Sequence, residues 1–106
     1  TVLMSARSYI ESTLGDITLS PAAVAAKHHI SVRQLQKLFA HDGQTVSGFI
    51  RQRRLARSRR DLADPRQAHR SIGDIAASNG LVDAAHFSKL FKSTYGMSPR
   101  EYRDRQ

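Results

Sequence analysis

Apolar residues recur at helical spacing through most of the chain, broken at regular intervals by capping residues and glycines. Leu3, Ala6, Ile10 and Leu14 form a first stripe, flanked by Val2 and Tyr9, which predicts a helix over residues 2–14 closed by Gly15. Ser20 and Pro21 then suit an N-cap and a first helical position, with Leu19 and Val24 available as a hydrophobic staple. This short helix is expected to carry Val24, Ala25 and Ala26 inward. A turn at His28-His29-Ile30 leads to Ser31, which with Gln34 makes a capping box, while Ile30 can staple to Leu35. In the helix that follows, Val32, Leu35, Leu38 and Phe39 make the inward stripe. Arg33, Gln36 and Lys37 face out, with Ala40 or His41 at the edge.

Gly43 closes that helix, and a long one is predicted over Val46–Ala63, ended before Pro65. At ~1.5 Å per residue it spans roughly 27 Å. Phe49, Ile50, Leu55 and Leu62 are its expected anchors. Residues 64–70 (DPRQAHR) read as a loop and a boundary between subdomains. Ser71 caps the next short helix, with Asp74 as the far side of a box, and Ile72, Ile75 and Ala76 face in. Asn79-Gly80 ends it, since both tolerate left-handed backbone. Asp83 caps a further helix, with Val82 and Phe87 as its staple. Phe87, Leu90 and Phe91 point inward, and Ala84, Ala85, Ser88, Lys89 and Lys92 point out, with His86 near the edge. Gly96 stops it. Ser98, Pro99 and Glu101 then start a last helix, with Met97 and Tyr102 as staple.

The two halves repeat. Ala25 falls on Ala76, and Leu35, Leu38 and Phe39 recur 52 residues later as Phe87, Leu90 and Phe91. The expected fold is all-α: two helix-turn-helix subdomains, about seven helices, joined by a long linker helix. The first unit occupies residues 1–45, the linker 46–64 and the second unit 65–106. A single helix-turn-helix offers a small interface, so such domains usually dimerise to read half-sites ~34 Å apart. A chain carrying two units and a stiff connecting helix can do this as a monomer.

Charge sharpens the picture. The net charge is +8, from 17 Lys and Arg against nine Asp and Glu, and thirteen of the cations are Arg. That balance points to a polyanionic partner, and guanidinium is well shaped for bidentate phosphate and guanine contacts. The outward cation, amide and cation at 33, 36 and 37 are the group types that read guanine and adenine edges. Six arginines lie between Arg51 and Arg60 and cannot share one helix face. Some are expected to reach phosphate and others to be solvated or paired with Asp61 or Asp64. Cysteine is absent, which removes disulfides and thiolate zinc sites and fits a cytoplasmic protein. No apolar run is long enough to span a membrane. The five histidines sit in separate elements or, at 28 and 29, point apart, so no metal site and no cofactor are expected. No nucleophile elbow or Gly-rich phosphate loop occurs, and an enzyme is not expected. RNA recognition lacks a stacking platform. A protein-interaction module would expose an apolar stripe where these helices carry polar and basic groups.

The run Ile72, Asp74-Ile75-Ala76, Gly80, Phe87, Phe91-Lys92, Gly96, Ser98-Pro99 and Tyr102-Arg103 resembles the C-terminal signature of AraC/XylS-type transcription regulators. LSPAAVAAKHHISVRQLQKLF followed by FIRQRRL resembles the first half of the same domain, so the likeness covers roughly residues 3–105. It implies recognition helices at 31–41 and 83–94, set in successive major-groove segments of double-stranded DNA, and a transcriptional activator. By motif position the base-reading residues are Arg33, Gln36 and Lys37 in the first unit and Ala85, His86, Ser88 and Lys89 in the second. Expected phosphate contacts are Ser31, Arg51, Arg53 and Lys92. RNA polymerase is a further partner implied by the resemblance. Thr1 is not a natural start, so the chain is read as a piece of a longer protein whose N-terminal part carries effector binding or dimerisation. Two residues depart from the pattern. Leu81 stands where an aromatic is usual, a packing change. Ala85 stands where a polar residue, often Ser, is common, which leaves the second unit fewer base-edge hydrogen bonds and shifts it towards affinity over sequence choice.

Overall fold

The computed structural model describes residues 1–106. Seven α-helices follow in order: α1 (Val2–Ser12), α2 (Pro21–Lys27), α3 (Val32–Ala40), α4 (Val46–Ala63), α5 (Ile72–Ser78), α6 (Ala84–Tyr95) and α7 (Pro99–Asp104), with one 3-10 turn at Pro65–Gln67. There are no strands. The chain divides into two compact units, Thr1–Arg53 and Arg54–Gln106. The division falls inside α4, not in the polar loop at 64–70, because each half of that helix belongs to a different core. Val46 and Ile50 pack with the first unit, and Leu55 and Leu62 with the second.

The first core gathers Ala6, Ile10 and Leu14 from α1 and the segment after it, Leu19, Val24 and Ala25 from around α2, and Leu35 and Phe39 from α3. Phe39 meets Phe49 edge to face at 5.3 Å between centroids, a favoured aromatic geometry. Three expectations are corrected here. Ala26 is exposed, because α2 is short and only Val24 and Ala25 lie on its packed side. Val32 is 41% exposed, since it sits in the first turn of α3 ahead of the buried Leu35 and Phe39. Finally, α1 stops at Ser12 rather than running on to Gly15. Thr13 caps it, and the Thr13 hydroxyl donates back to the Tyr9 carbonyl at 2.7 Å.

The second core holds Leu55, Leu62, Ile75, Ala76, Phe87 and Phe91. Phe91 lies at its centre, with ring centroids of Tyr95 at 4.8 Å, Phe87 at 5.7 Å and Tyr102 at 5.8 Å. Arg59 of α4 lies over the Tyr95 and Tyr102 rings, 4.6 and 5.2 Å from their centroids, so it acts as a lid on this cluster through cation–π attraction. Polar bonds then fix the loop. Arg103 of α7 donates to the carbonyls of Arg70 and Gln67 at 2.7 and 2.8 Å. Asp64 caps the 3-10 turn and pairs with Arg66 rather than with any arginine of α4. The hydrogen bonds from Arg66 hold the Asp64 carboxyl down at about 2.

Caps follow the sequence closely. Ser31 with Gln34 and Ser98 with Glu101 form complete capping boxes. At Ser71 only half forms: its hydroxyl accepts from the Asp74 N–H at 3.0 Å, with no return bond from the Ser71 N–H to the Asp74 carboxylate.

The turn of the first helix-turn-helix holds a backbone feature absent from the expectations. His29 adopts φ 56°, the one non-glycine with positive φ. Side chains in that region cost ~1–2 kcal/mol, and glycine avoids this at an entropic cost of ~0.5–1 kcal/mol. His29→Gly is therefore expected to raise stability by up to about 1 kcal/mol, and His29→Val to lower it by more than about 1 kcal/mol. A urea denaturation series checks both signs.

Candidate nucleic-acid interface

In each unit a short helix, a tight turn and a second helix place an outward face at a fixed angle to a buried one. The burial of Leu35 and Phe39 turns Arg33 and Lys37 of α3 to solvent, and the burial of Phe87 and Phe91 does the same for Ala85, Ser88 and Lys89 of α6. Both α3 and α6 begin at a defined residue. The Ser31 hydroxyl accepts from the Gln34 N–H at 3.0 Å, and an Asp83 carboxylate oxygen accepts from the His86 N–H at 3.0 Å. These bonds set the axial position of every outward side chain behind them.

Arg33, Lys37, Arg51 and Lys89 are all exposed, and no hydrogen bond or ion pair engages them. Their charge is therefore open to a polyanion. Ser31 is exposed too, and its hydroxyl proton is free to donate while the oxygen caps α3. Ala84, Ala85, His86, Ser88 and Lys92 are likewise exposed on α6.

Two of the expected contacts are placed differently. Gln36 is half-buried, and its side-chain oxygen accepts from the Val46 N–H at 3.1 Å, satisfying an open donor at the start of α4. A two-bond adenine contact uses both the oxygen and the NH2 of an amide. The bond to Val46 takes one lone pair of that oxygen and fixes its direction, so the NH2 is the freer end of Gln36 for a base contact. Arg53 is the second case. Its Nε and one Nη donate to the two carboxylate oxygens of Glu11, each at 3.0 Å. This bidentate pair ties α4 to α1 and commits the guanidinium to the protein. Glu11 lies 42 positions away in the chain, so spacing along the arginine run gave no sign of it.

The other cations divide the same way. Arg7 pairs with Asp42 and lies over the Phe39 and Phe49 rings, Arg70 and Arg103 hold the loop of the second unit, and Arg54 and Arg57 are engaged as well. The cations left open are Arg33 and Lys37 on α3, Lys89 on α6, Arg51 and Arg100, while Lys92 and Arg105 lie close enough to the Glu101 carboxylate to help stabilise its charge.

A family model described as a helix-turn-helix domain matches residues 24–105. Among curated proteins, the transcriptional activator NphR of a Rhodococcus species is 37% identical over 94 residues, covering 89% of this chain and 27% of that protein. The transcriptional activator RhaR of Pectobacterium carotovorum is 38% identical over 84 residues, covering 78% of this chain and 28% of the relative. The chain thus spans under a third of the length of these relatives. Among solved structures, an AraC-type transcriptional regulator from Chromobacterium violaceum aligns with a TM-score of 0.87 at 30% identity, covering 97% of this chain and 89% of that one. The C-terminal domain of AraT from Geobacillus stearothermophilus shares the fold, with a TM-score of 0.88 at 24% identity and coverage of 99% and 85%.

Proposed function

The chain belongs to the AraC-type helix-turn-helix family of transcription regulators, and we propose on that premise that it binds double-stranded DNA sequence-specifically as part of a transcriptional activator. Residues 31–41 and 83–94 enter successive major-groove segments as recognition helices. Arg33 donates to guanine O6 and N7, Lys37 to a base edge or phosphate, and Gln36 to a neighbouring base through its NH2. Lys89, with Ser88 and His86, serves the second segment. Ser31, Arg51 and Lys92 hold phosphates and set register without reading sequence. The observation that carries this reading is the pair of helix-turn-helix units, each with an exposed second helix bearing at least one cation that the protein leaves unpaired.

No helix is long and apolar enough to cross a membrane, and the family is one of regulators rather than of enzymes. The chain acts in the cytoplasm and engages DNA as a monomer, with dimerisation or effector binding in other parts of the full-length regulator. RNA polymerase is the second partner an activator requires. A protein-binding face has one observation in its favour, an apolar hollow of about 460 Å3 lined by Val2, Leu3, Ile30 and Leu38 beside Lys37.

Selection of bound duplexes from a random pool at near-physiological salt tests the DNA reading. Two short enriched blocks about one helical turn apart are expected. Arg33→Ala should cost ~1–3 kcal/mol and relax one position of one block, and Lys89→Ala should act on the other block only. Arg51→Ala should weaken all sequences alike and flatten the salt dependence by about one phosphate. Absence of binding even at low salt would overturn the proposal and favour the protein-binding hollow.

A further inference from the structure

The two recognition helices present opposite chemistry at their leading outward position. With the 52-residue offset of the repeat, Arg33 corresponds to Ala85, Gln36 to Ser88 and Lys37 to Lys89. Ala85 lies on the side of α6 opposite the buried Phe87 and Phe91 and is exposed, as is Ala84 before it. Val82, just ahead of the Asp83 cap, was expected to staple inward onto Phe87. Instead it is 66% exposed, because Leu81 is the residue of this turn that packs on the second core.

A lone exposed valine is ordinary. Here it precedes two exposed alanines at the entry of a helix whose outward face continues into Lys89 and Lys92. A surface that is apolar at its leading edge and cationic behind suits a partner whose phosphates flank an apolar group. In the major groove that group is the C5-methyl of thymine, the only apolar feature on any base edge. A methyl side chain forms no hydrogen bond, so Ala85 discriminates by contact with another methyl or not at all. Its shortness also lets the α6 backbone approach the base edges more closely than a long side chain permits.

We propose that α6 reads thymine, with Ala85 and Val82 contacting C5-methyl groups in the second segment of the site beside the contact made by Lys89, while Lys92 supplies attraction to the backbone. This rests on the DNA-binding reading and gives the second unit a sequence preference of its own. The first unit, with Arg33 at the matching position, selects guanine instead.

The test uses the selected duplex with each thymine of the second block replaced in turn by deoxyuridine, which pairs identically but lacks the methyl. The first block is left unchanged. Affinity should fall about three- to fivefold at one or more positions, the effect of removing one buried methyl-sized group. Ala85→Gly should abolish the difference between thymine and uracil at the position Ala85 touches, leaving any position read by Val82 unchanged, while binding persists. Thermal melting monitors its fold. Ala85→Arg, an exposed change on a helix that tolerates Arg, should move the second block's preference towards guanine. Equal affinity for thymine and uracil at every position, with tight binding to the site retained, would overturn the inference and leave the DNA-binding reading intact. Failure to bind either duplex would overturn that reading and this inference with it.

Discussion

Phe91→Ala should remove most of the stability of the second helix-turn-helix unit and, with it, recognition of the second DNA segment. Phe91 is fully buried and is the ring that Phe87, Tyr95 and Tyr102 share. Truncating a buried phenylalanine typically costs ~3–5 kcal/mol through lost transfer energy and the cavity left behind. Small domains have only ~5–15 kcal/mol in total. The second unit has a core of its own, so the first, built on Phe39, Leu35 and Ile10, should keep its native amide signals in a two-dimensional NMR spectrum at temperatures where those of residues 72–104 have collapsed. Arg59 would also lose the ordered Tyr95 and Tyr102 faces it covers. An unchanged denaturation midpoint would mean that the aromatic cluster is not what holds the unit together. Lys89→Ala, on the exposed side of the same helix, should weaken binding with no change in midpoint. The pair therefore separates folding from contact.

The fold was legible in the sequence because it is written in local signals. Apolar stripes at helical spacing, the caps at Ser20, Ser31, Ser71, Asp83 and Ser98, and the stop before Pro65 each depend on residues a few positions apart, and α4 falls on its expected span of 46–63. What escaped was long-range or polar. The Arg53–Glu11 pair and the stapling of the 67–70 loop by Arg103 join residues more than thirty positions apart. Hydropathy has no signal for such contacts. Staples were the least secure of the local patterns. Val82 has the right residue type at the right spacing, yet it is exposed because Leu81 beside it packs inward instead. At the interface, the exposed face of α6 was readable from periodicity. The bond from the Gln36 side chain to the start of α4 was not, since a glutamine on an outward face gives no indication of which polar neighbour it will satisfy.

The buried polar group that no hydropathy pattern announced should show the second large effect. Asp61 of α4 and Asn79 at the end of α5 are only 8% and 6% exposed. Asn79 Nδ2 donates to one Asp61 carboxylate oxygen at 3.0 Å and to the Ile75 carbonyl at 3.1 Å, while Gln67 Nε2 donates to the other Asp61 oxygen at 3.1 Å. Asn79→Val should leave the Asp61 carboxylate short of a donor inside the unit. A lost hydrogen bond to a charged group costs ~1.5–3 kcal/mol. Asp61→Leu alone should cost about 1–3 kcal/mol, since Asn79 keeps only its bond to Ile75. Replacing both partners removes the buried charge and the group it requires, so Asp61→Leu with Asn79→Val should recover much of the loss. The coupling expected from the four urea curves is at least ~1 kcal/mol, and additive losses would show that the two side chains act independently. The consequence extends to DNA. Asn79 caps α5 immediately before Gly80, whose φ of 85° makes the turn into α6. Anchoring Asn79 to α4 therefore fixes where that turn begins. Asn79→Val, studied well below its melting temperature, should blur the preference at the second block and leave the first block sharp, because only the helix behind that turn has lost its anchor.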